Sequence, residues 1–160
     1  MKDSFKFAFK GIASAVKRER NMRVHTAVAF YVIVVGLIAG IRMYEWIAVI
    51  VCIGAVLAAE LLNTALEELC DALHPGRSDA IGRAKDISAG AVLVFAIAAA
   101  AVGIIVFFNA GTWTSLVDFA KTHIILTAVI IVTLPIAAFL VFKRYDNDKK
   151  DRHDNAGRQA

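Results

Sequence analysis

Four apolar runs, at about residues 24–41, 46–62, 87–108 and 123–142, constrain this 160-residue chain more than any other feature. A helix needs about 20 apolar residues to cross a hydrocarbon layer of roughly 30 Å, and each run is close to that length. With 59% hydrophobic residues the chain is too apolar for an ordinary soluble domain. The expected fold class is all-α integral membrane, with the bilayer doing the work of a core.

The basic residues fix an expected orientation. Seven precede the first run (Lys2, Lys6, Lys10, Lys17, Arg18, Arg20, Arg23), three lie between the second and third (Arg77, Arg83, Lys85), and six follow the fourth. The two remaining loops hold only Arg42 and Lys121. Lys and Arg concentrate on the cytoplasmic side of spans, so both termini and the 68–86 segment are expected in the cytoplasm of a multi-pass cell-membrane protein. The same rule accounts for the net charge of +4 without nucleic acid as a partner. The first run starts at Val24, behind 23 largely polar or amphipathic residues, and leads into further spans, so it is expected to target the chain without being cleaved. Cys52 in mid-span and Cys70 beyond it suit neither a disulfide nor a zinc site.

Residues 4–23 read as an amphipathic surface helix. Phe5, Phe9, Ile12 and Val16 form one stripe, while most of the lysines and arginines take other faces. In the first span Gly36 and Gly40 form a small-residue pair suited to close helix packing. Tyr44 and Trp46 mark a headgroup level. His74-Pro75-Gly76 is the clearest break in the chain.

The second span carries a polar row at its inner end: Glu60, Asn63, Glu67 and Asp71. At about 100° per residue, Glu60, Glu67 and Asp71 fall within about 20° of one line, with Asn63 roughly 60° to the side. Glu60 follows fourteen apolar residues that begin at Trp46, which puts it about 21 Å into the layer. A carboxylate at that depth costs several kcal/mol unless it faces protein or water, so it is a functional candidate. Beyond the Pro75 break, Arg83, Lys85 and Asp86 cluster at the mouth of the third span. Acids facing bases at a membrane mouth are equipment for handling phosphate. Glu19 and Glu67, at a common level, could share Mg²⁺, which prefers oxygen ligands and bridges to substrate phosphates. Lys85 could offset charge on a transferred phosphoryl group, and the deeper, drier Glu60 suits a base that takes a proton from an alcohol. No phosphate-binding glycine loop is present. From the residues alone, lipid phosphoryl transfer and cation transport remain competitors, with a non-enzymatic scaffold leaving the polar row unexplained.

The segment Glu60-Leu61-Leu62-Asn63-Thr64-Ala65-Leu66-Glu67, followed by Asp71, Ala84-Lys85-Asp86 and Ala89-Gly90-Ala91-Val92-Leu93, resembles the signature of the small bacterial integral-membrane diacylglycerol kinase and undecaprenol kinase family. Glu19-Arg20-Asn21-Met22-Arg23-Val24-His25 is similar to that family's other motif, and the resemblance covers roughly residues 4–108. The Glu-Arg-Asn start and the His74-Pro75 loop look more like the undecaprenol kinases. The resemblance implies a surface helix (4–23) and a three-span kinase core (24–41, 46–73, 87–108), assembled as a homotrimer with cytoplasmic active sites at subunit interfaces. It implies Glu60 as catalytic base and Glu19 and Glu67 as carboxylates holding Mg²⁺ with ATP. Asn63, Gly76, Arg77, Ser78, Lys85 and Asp86 would contact nucleotide or phosphate, and Arg23, His25 and Trp46 would lie on the side of the membrane lipid. The expected activity is ATP-dependent phosphorylation of a lipid hydroxyl, with undecaprenol the preferred substrate and diacylglycerol the alternative. An external loop and fourth span (109–142) and a charged cytoplasmic tail (143–160) depart from the family's three spans and are expected to add packing or an anchor rather than chemistry.

Overall fold

A computed structural model describes residues 2–73, 76, 78–137, 139 and 141. All regular structure among them is helical: α1 (Lys2–Arg18), α2 (Arg20–Ala39), α3 (Met43–Leu73), α4 (Asp79–Phe107), α5 (Ala110–Thr122) and α6 (Ile124–Ala137). Helices α2, α3 and α4 are each long and apolar enough to cross a membrane. The tail at 143–160 lies outside the described residues.

The surface helix is shorter than its amphipathic pattern predicts. It ends at Arg18, and residues 20–23 belong to α2. Glu19 alone separates the two helices, with φ −98° and ψ 128°, an extended conformation that redirects the chain at the start of the first span. Backbone bonds run almost unbroken past it, Glu19 N–H to Ala15 O at 2.8 Å and Arg23 N–H to Glu19 O at 3.3 Å. The aromatic stripe of α1 stays exposed at Phe5, Phe9 and Ile12, as an interfacial face requires.

The second span is one helix of 31 residues through the polar row, and it packs most extensively against the antiparallel α4. Its turn from α2 gives the two glycines different jobs. Gly40 takes φ +63°, a left-handed cap whose N–H bonds to Gly36 O, a geometry that glycine adopts without the Cβ penalty. Gly36 is the close-packing residue: a Cβ there would meet the Trp46 ring at 3.0 and 3.2 Å. Ile41, Val49, Ala39 and Val106 bury themselves around this corner with Trp46 and Leu116 against them. The tight apolar core thus sits at the turn end, while Phe30, Ile50, Leu62 and Phe95 present apolar surface outward.

The segment expected as an external loop, 109–122, is a helix. Asn109 makes this possible by capping at both ends: its Nδ2 donates to Val106 O at 2.7 Å, closing α4, and its Oδ1 accepts from Thr112 N at 3.0 Å, opening α5. Phe108 and Trp113 stack across the corner with ring centroids 5.8 Å apart. α5 packs on α2 and α4. The expected fourth span then starts after His123 at a bend of 107°, and α5 with α6 meets the length and apolarity of a span only as that bent pair.

Gly36→Val would force its side chain into the Trp46 ring, and its overpacking should lower stability by about 1–3 kcal/mol. Gly40→Ala, strained only through its positive φ, should cost about 1–2 kcal/mol. Thermal unfolding in detergent checks both, and an unchanged midpoint for Gly36→Val would show that the corner is not packed in this way.

Candidate active site

α3 carries four polar side chains on one side of an otherwise apolar helix, and packing converts this row into a site. Glu60 is 2% exposed and Asn63 5%, the most buried polar groups of the row. Glu67 is half-buried and Asp71 exposed, so the row runs from the dry interior to the open end. Each carboxylate meets a different environment because each turn of helix moves it about 5.4 Å toward the open end.

Two hydrogen bonds order the middle of the row. Asn63 Nδ2 donates to Glu67 Oε1 at 3.0 Å, an i,i+4 contact along α3. Its other face is fixed from α4, where Ser88 Oγ donates to Asn63 Oδ1 at 2.6 Å and also lies 2.9 Å from Lys85 O. Ser88 therefore sets which way the Asn63 amide points, and so which group reaches Glu67. The sequence reading missed this serine, although a hydroxyl one turn beyond Lys85 in an apolar run was the available signal. At the open end the Lys85 ammonium pairs with the Asp71 carboxylate, a second tie from α4 to α3. Asp71, the outermost member of the polar row, is the partner of the expected phosphate-handling lysine.

Glu60 is arranged differently. Its Oε2 is buried and makes no hydrogen bond among the described residues. Asn21, at the start of α2, acts on the carboxyl as a hydrogen-bonding neighbour, and both Glu67 and Glu19 are close enough for their charges to act on it. Two parts of the fold thus supply carboxylates whose charges influence one another: the α1–α2 break supplies Glu19, and α3 supplies Glu60 and Glu67. An ion pair between Arg18 and Glu68 at 3.5 Å holds the end of α1 against α3 at this level. Arg23 is 8% exposed and donates from Nη1 to Lys17 O at 2.8 Å, so the expected lipid-side arginine also stitches the α1–α2 corner.

The remaining expected residues fall in three places. His25 is half-buried and lines an apolar cavity of about 370 Å³ between α2, α3 and α4, whose wall includes Val56, one turn from Glu60. Ser78 precedes α4 in an extended conformation, and Gly76 and Asp86 are exposed near the same open end. Arg77 lies outside the described residues. Trp46 is not brought to the site: it packs on Gly36 at the opposite end of α3, about 21 Å along the helix from Glu60.

Among the described residues no three His, Cys, Asp or Glu side chains converge into a metal cage. The donors on hand are oxygens of Glu19 and Glu67, which suits an ion that keeps waters and completes its shell with phosphates rather than a structural zinc.

Known proteins similar to this chain are lipid kinases. The sequence model described as prokaryotic diacylglycerol kinase matches residues 6–107, which contain every site residue named above. The undecaprenol kinase of Bacillus subtilis is 36% identical over 104 residues, covering 65% of this chain and 85% of that protein. The diacylglycerol kinase of Synechocystis sp. is 43% identical over 107 residues, covering 62% of this chain and 58% of that protein. The diacylglycerol kinase of Haemophilus influenzae is 33% identical over 92 residues, or 58% of this chain and 78% of that one. No solved structure matches the chain significantly. A buried acid row on a membrane-length helix, met by a lysine and a serine from its antiparallel neighbour, thus sits wholly inside the matched region, and the chain belongs to the prokaryotic diacylglycerol kinase family of membrane lipid kinases.

Proposed function

We propose that the protein transfers the γ-phosphoryl group of ATP to the hydroxyl of undecaprenol, with Glu60 as the base and Mg²⁺ as the metal. The observation that carries this reading is the unpartnered, buried Oε2 of Glu60. An orphaned buried acceptor costs about 1–3 kcal/mol, and more when charged, unless a ligand supplies the missing donor. A lipid alcohol supplies one, because its hydroxyl can descend to that level while its tail remains in hydrocarbon.

The lipid hydroxyl donates to Glu60 Oε2 and gives up its proton as its oxygen attacks the γ-phosphorus in line. The bond to the β-phosphate oxygen breaks, and ADP leaves. Such a transition state asks mainly for positioning and charge neutralisation. Lys85, exchanging Asp71 for phosphate, offsets charge on the transferred group, and Asn63, fixed by Ser88, contacts the nucleotide side. Glu19 and Glu67 would hold Mg²⁺, which would supply charge neutralisation to the nucleotide's phosphates. Gly76, Arg77, Ser78 and Asp86 are assigned to the nucleotide side, and Arg23 and His25 to the lipid side. This places the open end of the row, both termini and the nucleotide in the cytoplasm, in keeping with the lysine and arginine bias. A homotrimer with sites at subunit interfaces is proposed from the family resemblance.

The similarity to an undecaprenol kinase over 85% of that protein supports the isoprenoid substrate. The relatives named as diacylglycerol kinases support diacylglycerol as the second reading. Both lipids present a hydroxyl at the interface on an apolar body. Transfer of labelled phosphate from ATP in liposomes containing equal amounts of the two decides between them: undecaprenyl phosphate should accumulate first, and exclusive formation of phosphatidic acid would reverse the assignment. Glu19→Gln and Glu67→Gln should each raise the Mg²⁺ concentration needed for half-maximal nucleotide binding by about tenfold or more, the loss of one charged ligand. Superimposable Mg²⁺ titrations for wild type and both variants would exclude the shared metal.

A further inference from the structure

α6 lies outside the region matched by the family and follows α5 at a bend of 107°. Between it and α2 runs an apolar groove of about 460 Å³. Val24, Val28 and Val35 line it from α2, Leu134 and Ala137 from the C-terminal end of α6, and Val141 from just beyond it. The Tyr31 hydroxyl is the one side-chain polar group among the residues that line it.

Length and position identify an occupant. From Val24 to Val35 the groove follows about 16 Å of helix, close to the roughly 15 Å of one leaflet's hydrocarbon. Its mouth at Val24 is one turn from Asn21, which acts on the Glu60 carboxyl, so the groove leaves the reacting end of the site and descends into the membrane. Its lining is almost wholly apolar. A hydrocarbon chain fits.

We propose that the α2–α6 groove holds the first isoprene units of the lipid alcohol's tail, those next to the hydroxyl, and that α6 is a specificity wall added to the kinase core. This rests on the lipid kinase reading. A tail seated there is packed on both sides by protein, and its hydroxyl is held at the level of Glu60. Chain length and branching then contribute to recognition, whereas a core without this wall would leave the tail in bulk lipid.

Two measurements on the full-length protein test it. Ala27→Trp and Ala137→Trp fill the groove from either wall, and the exposed Ile125→Trp, on α6 away from it, is the control. The ratio of kcat/KM for a long-chain polyprenol to that for geraniol should fall about tenfold in both groove variants and stay at the wild-type value in the control. A ratio that moves equally in all three, or in none, would overturn the proposal. Separately, a long-chain polyprenol carrying a diazirine in its tail should label the α6 peptide around Leu134–Val141, and excess polyprenol should suppress the labelling. Labelling confined to other helices, or suppressed by diacylglycerol and not by polyprenol, would assign the groove elsewhere. Labelling of α6 by a protein that phosphorylates neither lipid would retain the groove and sink the kinase reading, so the two failures are separable.

Discussion

A carboxylate carried deep into a hydrocarbon layer sets the terms for the rest of this molecule. Glu60 is 2% exposed on a helix that crosses the membrane, and the cost of keeping an acid there is met only if neighbouring elements face it with protein. α2 begins beside it so that Asn21 reaches the carboxyl, and α4 runs antiparallel to α3 so that Ser88 and Lys85 meet Asn63 and Asp71. Glu19 ends α1 at the point where its charge acts on Glu60. The polar end of the three-helix core is therefore organised around the acid row, and the apolar corner of Gly36, Trp46 and Val49 is confined to the other end.

The same division separates jobs along a single helix. Glu67, half-buried, is held by Asn63; Asp71, exposed, holds Lys85; Glu60 keeps one oxygen without a partner among the described residues. On the proposed reading, a chain without a glycine-rich phosphate loop draws its base, metal ligands and phosphate-facing cation from a few turns of α3, the mouth of α4 and the α1–α2 break. Depth in the membrane does here what cleft geometry does in a soluble kinase, because it grades solvation from one residue of the row to the next.

Much of this was legible in the sequence because the bilayer imposes strict lengths. The three core spans and the common face of Glu60, Glu67 and Asp71 follow from apolar run lengths and helical periodicity alone. The family resemblance rested on the same polar positions, and the family match contains them. What periodicity could not show was local backbone choice and contact between segments. The amphipathic stripe continued past Arg18, and only the extended backbone of Glu19 divides α1 from α2. The two glycines of the first span looked equivalent, yet one is a packing surface and the other a left-handed cap. Asn109 capped a helix where polarity suggested a loop, and Ser88 was invisible because its importance lies in a contact twenty-five residues away on another helix. Trp46 carried an aromatic-belt signal that spoke to membrane depth and not to the site.

The most direct test of the central claim is the turnover of Glu60→Gln, which keeps the size of the side chain and one acceptor oxygen and removes the base. With saturating lipid and ATP, kcat should fall by about two to four orders of magnitude, while the affinity for the magnesium–nucleotide complex stays within about twofold of wild type. A variant that phosphorylates lipid at the wild-type rate would contradict the account.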